Sequence, residues 1–230
     1  RSKYDEDNFG GKEANLDRGE DNPFQWTPRG SFNFGGPIVK DMAWYWFGFN
    51  QNDVDLRVPG GPTPDQPLTD NSTLRNVTAK INGTAGNLNY KVFYTRGDKV
   101  KFGRNAGPDR PQPTTWNQSG PTPIYTADLS YFVTPNVELS FQGSHVGGGF
   151  QLVPQGEAPQ MLLDGNGVWQ NTYVTYITDR PINQFVARGN WFLDSGKTSN
   201  EFKFGFKYKE GSVQSLSSYG SDNAIGLINY

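Results

Sequence analysis

With no cysteine and one histidine in 230 residues, the chain excludes a disulfide scaffold, a thiolate metal site, a cysteine nucleophile and any site built on several histidines. Its 21 basic residues against 23 acidic ones lack the basic excess of a nucleic-acid binder. The 16 Phe, 11 Tyr and 6 Trp make it too aromatic for a disordered chain. No apolar run approaches the roughly 18 residues of a transmembrane helix. A spanning β-barrel stays open, because it needs apolar residues only at alternate positions. The chain opens at Arg1 without an initiator Met or a leader pattern, as a processed product or a fragment does.

Apolar residues recur at every second position rather than at helical spacing. In chain order, the alternating sets are Phe32, Phe34 and Ile38; Tyr45, Phe47 and Phe49; Val77, Ala79 and Ile81; and Leu88, Tyr90, Val92 and Tyr94. Then come Tyr125, Ala127, Leu129, Tyr131 and Val133; Val137, Leu139 and Phe141; Phe185, Ala187, Gly189, Trp191 and Leu193; and Phe202, Phe204, Phe206 and Tyr208. The spacing predicts eight half-apolar strands. Four short turns rich in Gly, Pro, Asn or Asp pair them: Lys40-Asp41-Met42, Ala85-Gly86-Asn87, Thr134-Pro135-Asn136 and Asp194 to Asn200. The longer polar stretches 54–73, 96–123 and 147–182 read as long loops at the opposite end. Short turns at one end and long loops at the other is the up-and-down pattern of an outer-membrane barrel. Aromatics crowd the short-turn end, as in an interfacial girdle: Trp44 to Phe47, Tyr131, Phe132, Trp191, Phe192 and Phe202. Alternation by itself also fits a soluble β-sandwich, which has one dry face per sheet. Strand length and the recurrent asymmetry of the turns favour the barrel.

The run Gly35-Gly36-Pro37-Ile38-Val39-Lys40-Asp41 followed by Ala43-Trp44-Tyr45-Trp46-Phe47-Gly48 resembles an early barrel hairpin of TonB-dependent outer-membrane receptors, closest to their Oar-like group. Tyr131-Phe132-Val133-Thr134-Pro135-Asn136, Gly147-Gly148-Gly149-Phe150, Arg180-Pro181 and Glu201-Phe202-Lys203-Phe204-Gly205-Phe206 resemble further pieces of that group in the expected order. The resemblance implies an all-β, antiparallel up-and-down transmembrane β-barrel segment, about eight strands of a larger barrel. Residues 26–230 would be partial barrel, and residues 1–25, with Asp5-Glu6-Asp7 and Asp17 to Asp21, an acidic lead-in or early loop. The plug domain, the TonB-contacting box and the remaining strands of such receptors have no counterpart in these residues. The function implied is capture and active import of a nutrient across the bacterial outer membrane. The partners implied are the lipid bilayer, the TonB energy-transducing complex and a nutrient ligand, with no cofactor and no covalent chemistry.

The chemical motifs are weaker than the periodicity. Gly196-Lys197-Thr198 lacks the phosphate-loop glycine, since Trp191 stands five residues before Gly196. His145 reads as a strand-end polar residue. The acidic N-terminal cluster lacks the spacing of a calcium loop. Asn76-Val77-Thr78, Asn82-Gly83-Thr84 and Asn117-Gln118-Ser119 match the glycosylation tripeptide, two of them inside predicted strands. The candidate ligand-binding residues are Asp109, Arg110, Trp116, Trp169 and Tyr173 in the long loops, where rings stack on ligands and arginine pairs with carboxylates. The other reading of these residues is that they pack the loops onto each other. Polar strand residues such as Lys80, Asn82, Glu138, Gln142 and Arg188 are expected on the face away from lipid. Two rival functions are a small self-contained barrel acting as a structural anchor or adhesin, and a soluble β-sandwich that binds carbohydrate.

Overall fold

The computed structural model describes residues 24–26, 29–63, 66–155, 162–170, 174–219 and 227–228. Of the acidic lead-in, residues 1–25, positions 1–23 lie outside the described residues, and Phe24 and Gln25 belong to the first strand. In chain order the strands are β1 (Phe24–Trp26), β2 (Arg29–Val39), β3 (Ala43–Thr63), β4 (Gln66–Ala85), β5 (Leu88–Arg104), β6 (Trp116–Thr134), β7 (Val137–Val146) and β8 (Gly149–Pro154). They continue with β9 (Leu162–Leu163), β10 (Trp169–Gln170), β11 (Val174–Asp179), β12 (Ile182–Asp194), β13 (Ser199–Gly211), β14 (Gln214–Tyr219) and β15 (Leu227–Ile228). One turn of 3-10 helix, Gln112–Thr114, precedes β6.

Twelve strands form one antiparallel up-and-down sheet, in which β3, β4, β5, β6, β7, β12 and β13 lie side by side. β1 and β2 pair with successive stretches of β3. β8, β11 and β14 pair side by side, and β8 also pairs with the first part of β6. β9, β10 and β15 make a separate small sheet. Among the described residues no strand joins β13 back to β1 or β2, so the sheet is open. Each of the eight alternating segments lies in one strand of the large sheet. The four short turns fall at 40–42, 86–87, 135–136 and 195–198. Asp41, Gly86 and Gly196 take left-handed backbone there, with φ of 60°, 59° and 74°.

Much of the sequence expected as long loop is strand instead. β3 and β4 run on to Thr63 and from Gln66, β5 reaches Arg104, β6 begins at Trp116, and β8 and β11 occupy part of 147–182. Some of these extensions are polar on both faces, as in Gln51-Asn52-Asp53 and Asp70-Asn71-Ser72-Thr73, whereas Val54, Leu56 and Val58 in β3 and Val100 and Phe102 in β5 keep the period of two. The backbone ladder continues regardless, because its hydrogen bonds do not depend on a dry face. β7, β12 and β13 give way to β8, β11 and β14 along a common break. There Gly147 N–H donates to Pro123 O at 2.8 Å, Arg180 N–H to Gly148 O at 2.7 Å and Ser212 N–H to Pro181 O at 3.2 Å. Proline lacks the ladder donor at two of these positions.

Residues paired directly across strands share a face. One continuous row on the apolar face reads Gly36, Tyr45, Ile81, Val92, Ala127, Gly143, Phe185 and Tyr208. The neighbouring row on the other face reads Gly35, Trp46, Lys80, Phe93, Thr126, Ser144, Gln184 and Lys209. The expected polar residues Lys80, Asn82, Glu138, Gln142 and Arg188 all lie on this second face by register. The apolar face is the uncovered one. On β6, Tyr125, Ala127, Leu129 and Tyr131 are exposed while Thr126, Asp128 and Ser130 between them are half-buried. Val92, Phe204 and Phe206 are 54%, 60% and 62% exposed. No second layer of described residues covers them, and the buried apolar side chains are only Ala43, Leu68, Trp116, Leu152 and Val186.

The short hairpins are staggered in a regular way. Relative to the row through Tyr45, Ile81, Gly143 and Phe185, the closing residues Ala43, Ala85, Val137 and Asp194 lie 2, 4, 6 and 9 residues further toward the turns. That drift is seven residues over six strand steps. With a rise of about 3.3 Å per residue and about 4.8 Å between strands, a line through the hairpin ends makes the strands tilt by roughly 40°. The apolar band follows this oblique line. From Ala43 to Gln51, Leu88 to Arg96, Val137 to His145 and Phe202 to Glu210, four non-polar positions precede the first polar side chain on that face.

Candidate functional site

Burial concentrates at the long-connection end, on the polar face. Trp116, Gln118, Leu152 and Thr178 are all less than one-tenth exposed there. The loop between β5 and β6 supplies the cover. Its Thr114 and Thr115 are almost wholly buried, and their hydroxyls donate to Pro111 O (2.9 Å) and Gln112 O (2.6 Å). Gln155 donates from its backbone to Thr115 O (3.0 Å) and from Nε2 to Thr115 Oγ1 (2.8 Å), which ties β8 to the loop. Arg104 donates to Gln118 Oε1 at 2.6 Å across the same face. Gly103, with φ of 77°, passes so close to Thr69 that a Cβ there would stand 1.8 Å from its carbonyl oxygen. Only glycine fits that approach.

Three of the sequence-predicted binding residues meet in this region. The Arg110 guanidinium lies over the rings of Trp169 and Trp116, with centroid distances of 5.2 and 5.8 Å. Trp116 Nε1 donates to Val174 O at 2.5 Å. Asp109 contributes through its backbone, its carbonyl accepting from Trp169 N–H at 2.8 Å, while its side chain is exposed. Tyr173 lies outside the described residues. Trp116 and Trp169, expected in loops, are the first residues of β6 and β10, so the cation–π contacts join the β5–β6 loop to two strand ends. Asp164 shapes the turn that presents Trp169. Its carboxylate accepts from the backbone of Val168 (3.0 Å) and Asn166 (2.9 Å) and from Gln170 Nε2 (3.0 Å). Chiefly because of the Val168 N–H, its pKa lies below the usual carboxylate range.

The remaining motifs resolve by position. Gly196-Lys197-Thr198 forms a hairpin turn in which Ser195 N–H donates to Thr198 O, with no helix N-terminus beside it. His145 shares a 2.7 Å hydrogen bond with Asn183 at the upper border of the apolar band. All three glycosylation tripeptides lie in strands, two in β4 and one in β6. Among the described residues no three His, Asp or Glu side chains gather to hold a metal ion.

Two features escaped sequence reasoning because both depend on strand register. The first is a hollow of about 660 Å³ at the break, bordered by Pro121, Pro123, Gly147 to Gly149, Ile177 and Asp179. The second is a partition of charge. By register the polar face carries Arg29, Lys80, Lys91, Lys99, Lys101, Arg104, Arg188, Lys203, Lys207 and Lys209 against Asp70, Asp128, Glu138, Asp194 and Glu201. The opposite face, beyond its apolar band, carries Arg75 and Arg96 against Asp53, Asp55, Asp98, Asp179 and Glu210. Lys91–Asp128 (2.9 Å), Lys101–Asp70 (2.7 Å) and Lys203–Glu201 (3.0 Å) are ion-paired on the polar face.

No family model matches the chain, and neither a curated protein nor a solved structure does so.

Proposed function

We propose that this chain is part of the wall of a transmembrane β-barrel in the bacterial outer membrane, of the TonB-dependent receptor kind and close to the Oar-like group. The whole protein captures a nutrient at its long-connection end and imports it with energy relayed through TonB to a plug. It performs no covalent chemistry and needs no cofactor. The observation that carries this reading is the exposed apolar band whose lower border follows the staggered hairpin ends. A tilt of roughly 40° is what a closed barrel of spanning strands requires. Eight residues along such a strand, at about 3.3 Å each, rise roughly 20 Å, close to the ~25 Å apolar height of an outer-membrane barrel. Exposed aromatics at the short-turn end of the apolar face, Tyr45, Tyr131, Trp191 and Phe202, support the same orientation. A soluble sandwich would cover the apolar face with a second sheet. The open edges at β2 and β13 favour a segment of a larger barrel over a small closed anchor.

Single cysteines test the assignment of faces. At Val92 and Leu139 they should react poorly with a water-soluble maleimide in native membranes. At Lys91 and Glu138 they should react at least tenfold faster. The opposite parity removes the barrel reading. Equal and rapid labelling of all four would point to a sheet in water.

A further inference from the structure

We infer that the polar face binds a small anionic solute carrying two or more carboxylate or phosphate groups, an inference resting on the proposal above that the opposite, apolar face is the one turned to lipid. The chain as a whole has net charge −2, yet its sheet sorts that charge, placing ten basic and five acidic side chains of the described residues on the polar face. Three of the five acids are taken by the ion pairs with Lys91, Lys101 and Lys203, while Glu138 accepts from Asn190 at 3.2 Å and Asp194 from the Ser199 hydroxyl at 2.5 Å. Lys80, Lys99, Arg188, Lys207 and Lys209 make no ion pair with any described residue.

Register gathers the densest group on β12 and β13. Lys207 and Lys209 are two residues apart on one face, about 7 Å along the strand. Arg188 pairs with Gly205 and so stands diagonal to both Lys203 and Lys207, within the reach of long side chains. Gly205 lets the Arg188 stem lie against the strand, since a Cβ there would come 3.4 Å from Arg188 Cγ and 2.9 Å from Ala187 O. Like charges at such spacing repel one another, and a polar face kept wet for solubility alone needs no such excess. An anion bridging the group relieves the repulsion, and the surrounding cationic field raises its local concentration. Guanidinium and ammonium donors suit carboxylate and phosphate oxygens, Arg188 by a two-pronged contact.

The test uses the full chain folded in detergent at low ionic strength, titrated calorimetrically with citrate and with pyrophosphate, and with spermidine as a cationic control. Binding of at least one anion is expected, weakening as salt rises, with none for spermidine. The triple variant Arg188→Gln, Lys207→Gln, Lys209→Gln should lose at least tenfold in affinity. The double variant Arg75→Gln, Arg96→Gln on the opposite face should stay within twofold. If the triple variant does not fold, Lys207→Gln alone should still lose about threefold. Failure of the parent to bind either anion, or equal losses in both sets, overturns the inference. Anion binding in detergent does not depend on membrane insertion. Absent binding with the expected cysteine parity therefore overturns the anion inference alone, whereas reversed parity overturns the lipid-facing assignment beneath it.

Discussion

At the scale of single residues, the long-connection end is held by contacts among the β5–β6 loop, β6 and β10 and by one tight turn. Arg110 stacks on Trp116 and Trp169, and Trp169 is held in place by the turn that Asp164 closes. A carboxylate with a lowered pKa contributes stability that is present above its unfolded value and is lost as pH falls through the folded one. For Asp164 that loss belongs below the usual carboxylate range. Trp169 emission, taken as the difference from a Trp169→Phe variant, should therefore stay constant from neutral pH down to about 4 and shift only in stronger acid. Asp164→Asn keeps an acceptor and should remove the acid transition while leaving the neutral spectrum nearly unchanged. An acid transition that persists in this variant would assign it to another group. Arg110, Trp116 and Trp169 were legible as candidates from residue type and loop position. Their common stack was not, because it includes Trp169, more than fifty residues from both Arg110 and Trp116.

At the scale of elements, aromatic rings cover the glycines of the strands. The Phe204 ring lies over Gly189, its paired residue, so a Cβ there would stand 2.2 Å from Phe204 Cζ. Tyr90 stands the same way against Gly83, whose Cβ would come 2.6 Å from its hydroxyl oxygen. A ring folded over a glycine restores the packing that the missing side chain gives up. Gly143 has nothing within 4 Å of its Cβ position. Gly189→Ala should thus destabilise by about 1–2 kcal/mol, since the ring must swing away. Gly143→Ala should be neutral or stabilising by up to about 1 kcal/mol, because alanine has less backbone freedom to lose. Urea titration followed by heat-dependent gel mobility measures both. Equal effects at the two glycines would discount the ring contact.

At the scale of the molecule, the fold is a single layer with one bare apolar face. Hydrophobic burial inside the described residues is slight, so the chain's large apolar area needs a cover from elsewhere. In lipid or detergent that cover is supplied, and strand content by circular dichroism should persist well above 60 °C. Diluted out of detergent, the chain should aggregate within minutes rather than remain a dispersed monomer. A stable monomer in plain buffer would mean that the apolar face is sheltered by protein.

Strand positions, face parity and the four short turns were set by local chemistry. A period of two in side-chain polarity is a property of the pleated backbone, and residues such as Asp41, Gly86 and Gly196 carry the turn geometry in their own conformational preferences. Strand ends were not legible where both faces are polar, as in β4 from Asp70 to Thr73 and β6 before Pro123. There no dry face imposes a period, and only the neighbouring strand keeps the backbone extended. The stagger of the hairpins, the oblique apolar band, the Arg110 stack and the gathering of basic residues on one face were decided by tertiary structure. All four depend on register, which strand pairing fixes between residues far apart in the chain.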